Sequence, residues 1–223
     1  LIEETASEEA KIVAFPELAL TGYTCGDLFT QDVLLGEVRR AICEVAAATK
    51  EKDALIFVGM PLAVDGKLYN VAAALNRGKI LGFTTKSFLP NYGEFYEMRQ
   101  FREGPEDVRY IPFEGERVLF GPRILFEADA MPDLVVSAEI CEDVWSPVPP
   151  SIDAAREGAT VIVNCSASDE TIGKAAYRKS LIEGQSARLL AAYIYANAGE
   201  GESTTDLVFG GHNIISENGT TLA

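Results

Sequence analysis

Histidine, paired cysteines and positive charge are all scarce in this chain of 223 residues, and each scarcity removes a class of function. His212 is the single histidine, so a multi-histidine metal centre is excluded, and a Ser-His or Cys-His pair would have to use that one residue. Its setting, Gly210-Gly211-His212-Asn213, reads as a strand edge or surface position. The four cysteines, Cys25, Cys43, Cys141 and Cys165, form no CxxC pair, which argues against a metal cluster or a disulfide scaffold and for a reducing compartment. Nineteen Lys and Arg stand against 34 Asp and Glu, a net charge of -15, and this opposes nucleic-acid and anionic-membrane partners. There is no apolar run long enough to span a bilayer and no signal peptide, so a cytoplasmic location is expected. GxGxxG and GxxxxGK[ST] are both missing, which removes the usual phosphate cradles.

What remains is the composition of one soluble globular domain with a full core: 48% hydrophobic and 24% charged residues, without repeats, linkers or low-complexity tracts. Leu1 is not an initiator methionine and Leu1–Ala10 reads as a helix tail, so the domain is expected to cover 1–223 and to be cut short at both ends. Apolar, β-rich runs occur at Ile12–Phe15, Ala54–Met60, Tyr69–Leu75, Lys79–Thr84, Val118–Leu119 and Arg123–Phe126. Others follow at Leu134–Ala138, Thr160–Asn164, Ala191–Ala196, Asp206–Phe209 and His212–Ser216. Helical periodicity covers Leu34–Lys50, Ser151–Glu157 and Thr171–Leu190. Strands alternating with a few helices predict an α/β protein. The turn sequences Val64-Asp65-Gly66-Lys67 and Asn76-Arg77-Gly78-Lys79 require antiparallel pairs, which disfavours a simple doubly wound parallel sheet.

The chemistry lies where strands end. Cys141 closes the run Leu134–Ile140 and precedes Glu142-Asp143-Val144-Trp145, a position that holds a thiol on a rigid sheet beside backbone N–H groups able to bind an oxyanion. Inert packing as a small hydrophobe is the alternative. Glu17 and Lys86 also follow apolar strand-like runs. A carboxylate can take the thiol proton, an ammonium can stabilise an oxyanion and a thiolate can attack a carbonyl: together an acyl-transfer set. A neighbouring lysine is also expected to lower the thiol pKa. Taken singly, Glu17 and Lys86 could be solvated charges, Tyr92, Phe95 and Trp145 core packing, and Glu97 a surface ion pair with Arg99 or Arg102.

Three ordered segments, Pro16-Glu17-Leu18-Ala19-Leu20-Thr21-Gly22-Tyr23, Lys86-Ser87-Phe88-Leu89-Pro90-Asn91-Tyr92-Gly93-Glu94-Phe95-Tyr96-Glu97 and Ile140-Cys141-Glu142-Asp143-Val144-Trp145, resemble the nitrilase, or carbon-nitrogen hydrolase, superfamily. With Ser166-Ala167-Ser168-Asp169-Glu170-Thr171-Ile172-Gly173, they resemble its glutaminase branch, the amide-hydrolysing domain of glutamine-dependent NAD synthetases. The resemblance runs from Lys11 to Ala223. It implies a four-layer αββα sandwich with a Glu17-Lys86-Cys141 triad and Glu97 as a second carboxylate beside it. It further implies Tyr23 near an ammonia exit, Tyr92 and Phe95 as walls of a glutamine pocket, and Glu142 and Ser168 at the substrate's amino and carboxylate groups. Lys174 stands where the branch usually has an arginine, which keeps the charge but loses bidentate geometry. Tyr96, His212 and Glu217 also depart from the common pattern. No cofactor or metal is implied for this domain; ATP and magnesium would belong to a synthetase domain outside this chain, which would receive the ammonia, and a homo-oligomer is expected by analogy. The alternatives are a free-standing aliphatic amidase, ω-amidase or nitrilase, and a non-catalytic binding module.

Overall fold

The computed structural model describes residues 1–2, 4, 9–204 and 206–223. The helix tail read at Leu1–Ala10 falls largely outside the described residues. Two six-stranded mixed sheets form the centre. The first has the order β1 (Ile12–Ala14), β2 (Leu55–Val64), β3 (Lys67–Asn76), β4 (Lys79–Thr85), β6 (Glu116–Gly121), β5 (Arg109–Phe113). The second has the order β12 (Thr220–Thr221), β11 (Ile214–Glu217), β10 (Ala192–Asn197), β9 (Val161–Ser166), β8 (Met131–Ile140), β7 (Leu125–Ala128).

Strand periodicity explains why the sheets stack. Along β2, Ile56, Val58, Met60 and Leu62 face α1 (Asp32–Ala48), which contributes Val38, Ile42 and Ala46 at a four-residue repeat; burying Val38 and Ile42 stabilises the fold by about 1.5–3 kcal/mol each. Phe57, between them, points the other way, joining Ala72 and Ala74 of β3 against Val136, Ala138, Val161 and Val163 of the second sheet. The outer face of that sheet, with Ile162, Tyr193 and Tyr195, is covered by Ala154 of α2 (Pro150–Arg156) and Ile182 of α3 (Lys174–Leu189). The layers are therefore α, β, β, α, the sandwich expected from the sequence.

Both hairpins form as their turn sequences require. Asp65 and Gly66 have φ of 50° and 72°, and Arg77 and Gly78 have φ of 46° and 82°, the paired positive values of a two-residue turn that matches strand twist. β2–β3 and β3–β4 are accordingly antiparallel, whereas β1–β2, β4–β6, β8–β9 and β9–β10 are parallel. One expected strand is absent: Asp206–Phe209 pairs with no sheet. Its alternation comes from Leu207 and Phe209 burying themselves with Phe95 and Ala167, while its main chain is used locally, Val208 O accepting from Glu170 N at 2.7 Å and Phe209 N donating to Ser203 Oγ at 3.1 Å.

Candidate active site

Four chain segments reach one place from the C-terminal ends of β1, β4, β8 and β9. Glu17 follows β1 in a turn pressed against β2, where a Cβ on Gly59 would lie 2.3 Å from Pro16 O and 2.4 Å from Leu18 N. Only glycine permits that approach. Glu17 N donates to Ser166 O at 3.3 Å and Ala167 N donates to Glu17 Oε2 at 3.1 Å, so this residue of the first sheet is tied to the end of β9 in the second. Lys86 directly follows β4. Glu17 and Lys86 are each 1% exposed and Cys141 is 5% exposed, so none is a solvated strand-end charge.

Lys86 Nζ donates to Glu17 Oε1 and to Glu97 Oε1, both at 2.6 Å. Asn70 Nδ2, from β3, donates to the same Glu17 oxygen at 2.6 Å, and Tyr23 OH donates to Glu97 Oε1 at 2.8 Å. Glu97 is thus a buried partner of Lys86, not of the neighbouring arginines; Arg99 pairs with Asp27. Burial alone would discharge the Lys86 ammonium, but the two carboxylates outweigh it and hold its pKa well above the ordinary range. Burial raises Glu97 to about 7 against the pull of Lys86.

Cys141 begins the 3-10 turn Cys141–Trp145 with φ of 42°, a left-handed value that a non-glycine residue adopts only under constraint. The charges of Glu17 and Lys86 both act on the thiol. The expectation of a lowered pKa is overturned: burial, then the Glu17 charge, push the thiol up, and Lys86 offsets only part of this. The resting group is therefore a protonated thiol, which would have to give its proton to a base before it could attack a carbonyl.

Cys141 lines a cavity of about 520 Å³. Tyr92, Phe95, Glu142, Ser168 and Lys174 line it, together with Trp145 and Tyr177. Tyr92 OH donates to Glu142 at 2.9 Å, and burial nonetheless raises the Glu142 pKa. Lys174 pairs with Asp169 and its Nζ lies 5.6 Å from the ring centres of both Phe95 and Trp145. Tyr23 and Glu97 line a second cavity of about 310 Å³, which shares Phe95 with the first. All ten residues singled out from the sequence line one or other cavity or belong to the buried charge cluster of Glu17, Lys86 and Glu97.

The sequence profile of the family described as carbon-nitrogen hydrolase matches residues 1–223. The chain belongs to the carbon-nitrogen hydrolase family. Among its relatives, the glutamine-dependent NAD(+) synthetase of Mycobacterium bovis is 46% identical over 214 residues, covering 96% of this chain and 32% of the relative. The protein of that name from Aquifex aeolicus is 34% identical, covering 94% and 33%. This carbon-nitrogen hydrolase thus spans about a third of the length of the curated relatives it matches. A crystal structure of a glutamine-dependent NAD(+) synthetase from Cytophaga hutchinsonii superposes with a TM-score of 0.88 at 30% identity, covering 100% of this chain and 36% of that one. An amidase from Nesterenkonia sp. superposes at 0.73 with 19% identity, covering 98% and 74%, a likeness of fold.

Sequence reasoning missed the residues that hold this hydrolase's site in place. Asp143, fully buried, accepts from Ser87 N at 3.0 Å and Phe88 N at 2.9 Å with one oxygen and from Ile140 N at 2.9 Å with the other. One carboxylate therefore binds the segment after Lys86 to the segment before Cys141, and burial raises it to about 8. Its place two residues after Cys141 was the available signal. Asn70 and Asn164 carried none, since an asparagine within an apolar run states no partner.

Proposed function

We propose that this chain hydrolyses the side-chain amide of glutamine through a thioester on Cys141. The observation that carries the reading is the lining of the larger cavity: a buried thiol under the charges of Glu17 and Lys86, with a carboxylate at Glu142 and an ammonium at Lys174 bordering the same space. Opposite charges on one cavity suit the zwitterionic head of an α-amino acid, with Ser168 adding a hydroxyl for the carboxylate.

The Cys141 Sγ–H proton passes to Glu17 as sulfur bonds to the amide carbon. The carbonyl oxygen becomes an oxyanion held by Lys86, which has three N–H donors and spends two of them on Glu17 and Glu97. The backbone N–H of Glu142 is the second donor, lying in the first turn of a 3-10 segment whose own carbonyls cannot reach it. Glu17 returns the proton to nitrogen, the C–N bond breaks and ammonia leaves. Water then attacks the thioester, giving a proton to Glu17 that returns to sulfur as glutamate departs. Side chains supply the acid, the base and the electrophile, so this half-reaction asks for no metal or cofactor.

The lengths and names of the relatives favour a larger function, in which the ammonia amidates nicotinic acid adenine dinucleotide in a synthetase domain that uses ATP and magnesium. The smaller cavity, lined by Tyr23 and Glu97, is the candidate route for that ammonia. A cytoplasmic location fits the four free cysteines, a homo-oligomer is carried over only by analogy, and no described helix is long and apolar enough to cross a membrane. Ammonia release from glutamine, glutaramate and propionamide tests the reading. Glutamine should exceed the other two in kcat/KM by at least ~100-fold, because each lacks a charged group that the cavity matches; equal rates on all three would overturn it in favour of an aliphatic amidase.

A further inference from the structure

Next to Cys141, and outside the lining of the cavity, four hydrogen bonds link five groups in a chain. Cys141 N donates to Asn164 Oδ1 at 2.9 Å, Asn164 Nδ2 donates to Tyr193 OH at 3.1 Å, Tyr193 OH donates to Glu139 Oε1, and Glu139 Oε2 accepts from Ser151 N at 2.9 Å. Glu139, Asn164 and Tyr193 are each no more than 1% exposed. Every donor in the first three links points the same way, toward the carboxylate, so the bonds polarise one another.

The chain of bonds sits where the main chain is strained. Ile140 N is fixed by Asp143 Oδ2 and Cys141 N by Asn164 Oδ1, so two successive peptide planes are clamped by side chains ahead of the φ of 42° at Cys141. The next plane carries the Glu142 N–H. With Cys141 N already committed, that N–H is the first main-chain donor able to turn toward the cavity.

Resting on the glutaminase reading above, we propose that Asn164, oriented by Tyr193 and Glu139, is a positioning residue that aims the Glu142 N–H at the developing oxyanion. It acts through the Cys141 backbone and touches no substrate. Its removal therefore weakens a contact made in the transition state and leaves both substrate binding and the intrinsic reactivity of the thiol in place.

The experiment compares Tyr193→Phe, Asn164→Ser and their double variant in the full-length native polypeptide. Tyr193→Phe, which removes one hydroxyl and keeps the ring, should lower kcat roughly 10-fold with KM within about twofold, and Asn164→Ser should lower it roughly 30- to 100-fold. The double variant should be no slower than Asn164→Ser, because both changes cut one relay. Alkylation of Cys141 by iodoacetamide, a displacement that develops no oxyanion, should stay within about twofold of wild type in Tyr193→Phe. If Asn164→Ser does not fold, the Tyr193→Phe kinetics and alkylation still decide. Unchanged kcat in Tyr193→Phe, multiplying losses in the double variant, or a kcat loss that merely follows the unfolded fraction overturns the inference. A wild-type protein that releases no ammonia from glutamine would sink the glutaminase reading instead.

Discussion

Replacing Lys86 by methionine removes the ammonium but keeps most of the side chain's volume, and the structure sets the size of two separate effects. The amine donates to Glu17 and Glu97 at 2.6 Å each and, in the reaction proposed, gives its third proton to the oxyanion. Loss of such a donor costs about 3–4 kcal/mol in the transition state, so kcat should fall roughly 100- to 1000-fold. The second effect is on stability. Two buried carboxylates, 1% and 5% exposed, are left facing each other without the cation, and stripping one partner from a buried pair costs roughly 3–5 kcal/mol. Glu97, already at about 7 with the lysine present, rises further without it. A carboxyl raised in the folded state stabilises at low pH and loses that contribution as pH climbs through its folded value. Lys86→Met should therefore lose little Tm at pH 5 and much at pH 8. Ammonia release and thermal melts at the two pH values make the measurement. A variant that keeps more than a tenth of wild-type kcat, or loses equal Tm at both, refutes the reasoning.

Glu97→Gln removes the group held at about 7, so the decline in wild-type stability between pH 4.5 and 7 should flatten, while the decline toward pH 8 from Asp143 persists; a melting profile parallel to wild type counts against the assignment. Tyr92→Phe deletes the hydroxyl that donates to Glu142 at 2.9 Å, and at an exposed site this should raise KM by a few-fold, the equivalent of about 0.5–1.5 kcal/mol, with kcat held. A fall in kcat alone would place Tyr92 in the chemistry instead. Gly59→Ala drives a methyl group into Pro16 O and Leu18 N, backbone that cannot rotate away, so it should destabilise by at least about 1–3 kcal/mol and displace Glu17; a chemical denaturation midpoint equal to wild type contradicts that contact.

The sheets were legible because their signals are local. Alternation along Ala54–Met60 and the Asp65-Gly66 and Arg77-Gly78 turns specify strands and hairpins without knowledge of what they meet. Asp206–Phe209 misled for the same reason, since burial of Leu207 and Phe209 over Phe95 writes the period of a strand where no strand pairs. β5 was missed because Arg109, Tyr110 and Pro112 are exposed and break the apolar pattern at a sheet edge. In the site, Glu17, Lys86 and Cys141 are conspicuous at the ends of apolar runs, and the structure brings the three together. Direction of the thiol pKa was not legible, because proximity to a lysine can be inferred from order along the chain but the depth of burial that overrides it cannot. The same limit hid Asp143, Asn70 and Asn164, whose roles exist only as hydrogen bonds between segments far apart in sequence.

The acyl-enzyme itself is the most direct test of the account. Acid quench of the protein during glutamine turnover, followed by peptide mass spectrometry, should place a γ-glutamyl group on the peptide containing Cys141 and on none containing Cys25, Cys43 or Cys165. Turnover that proceeds with Cys141 unmodified, or with the label on Cys165, would contradict it.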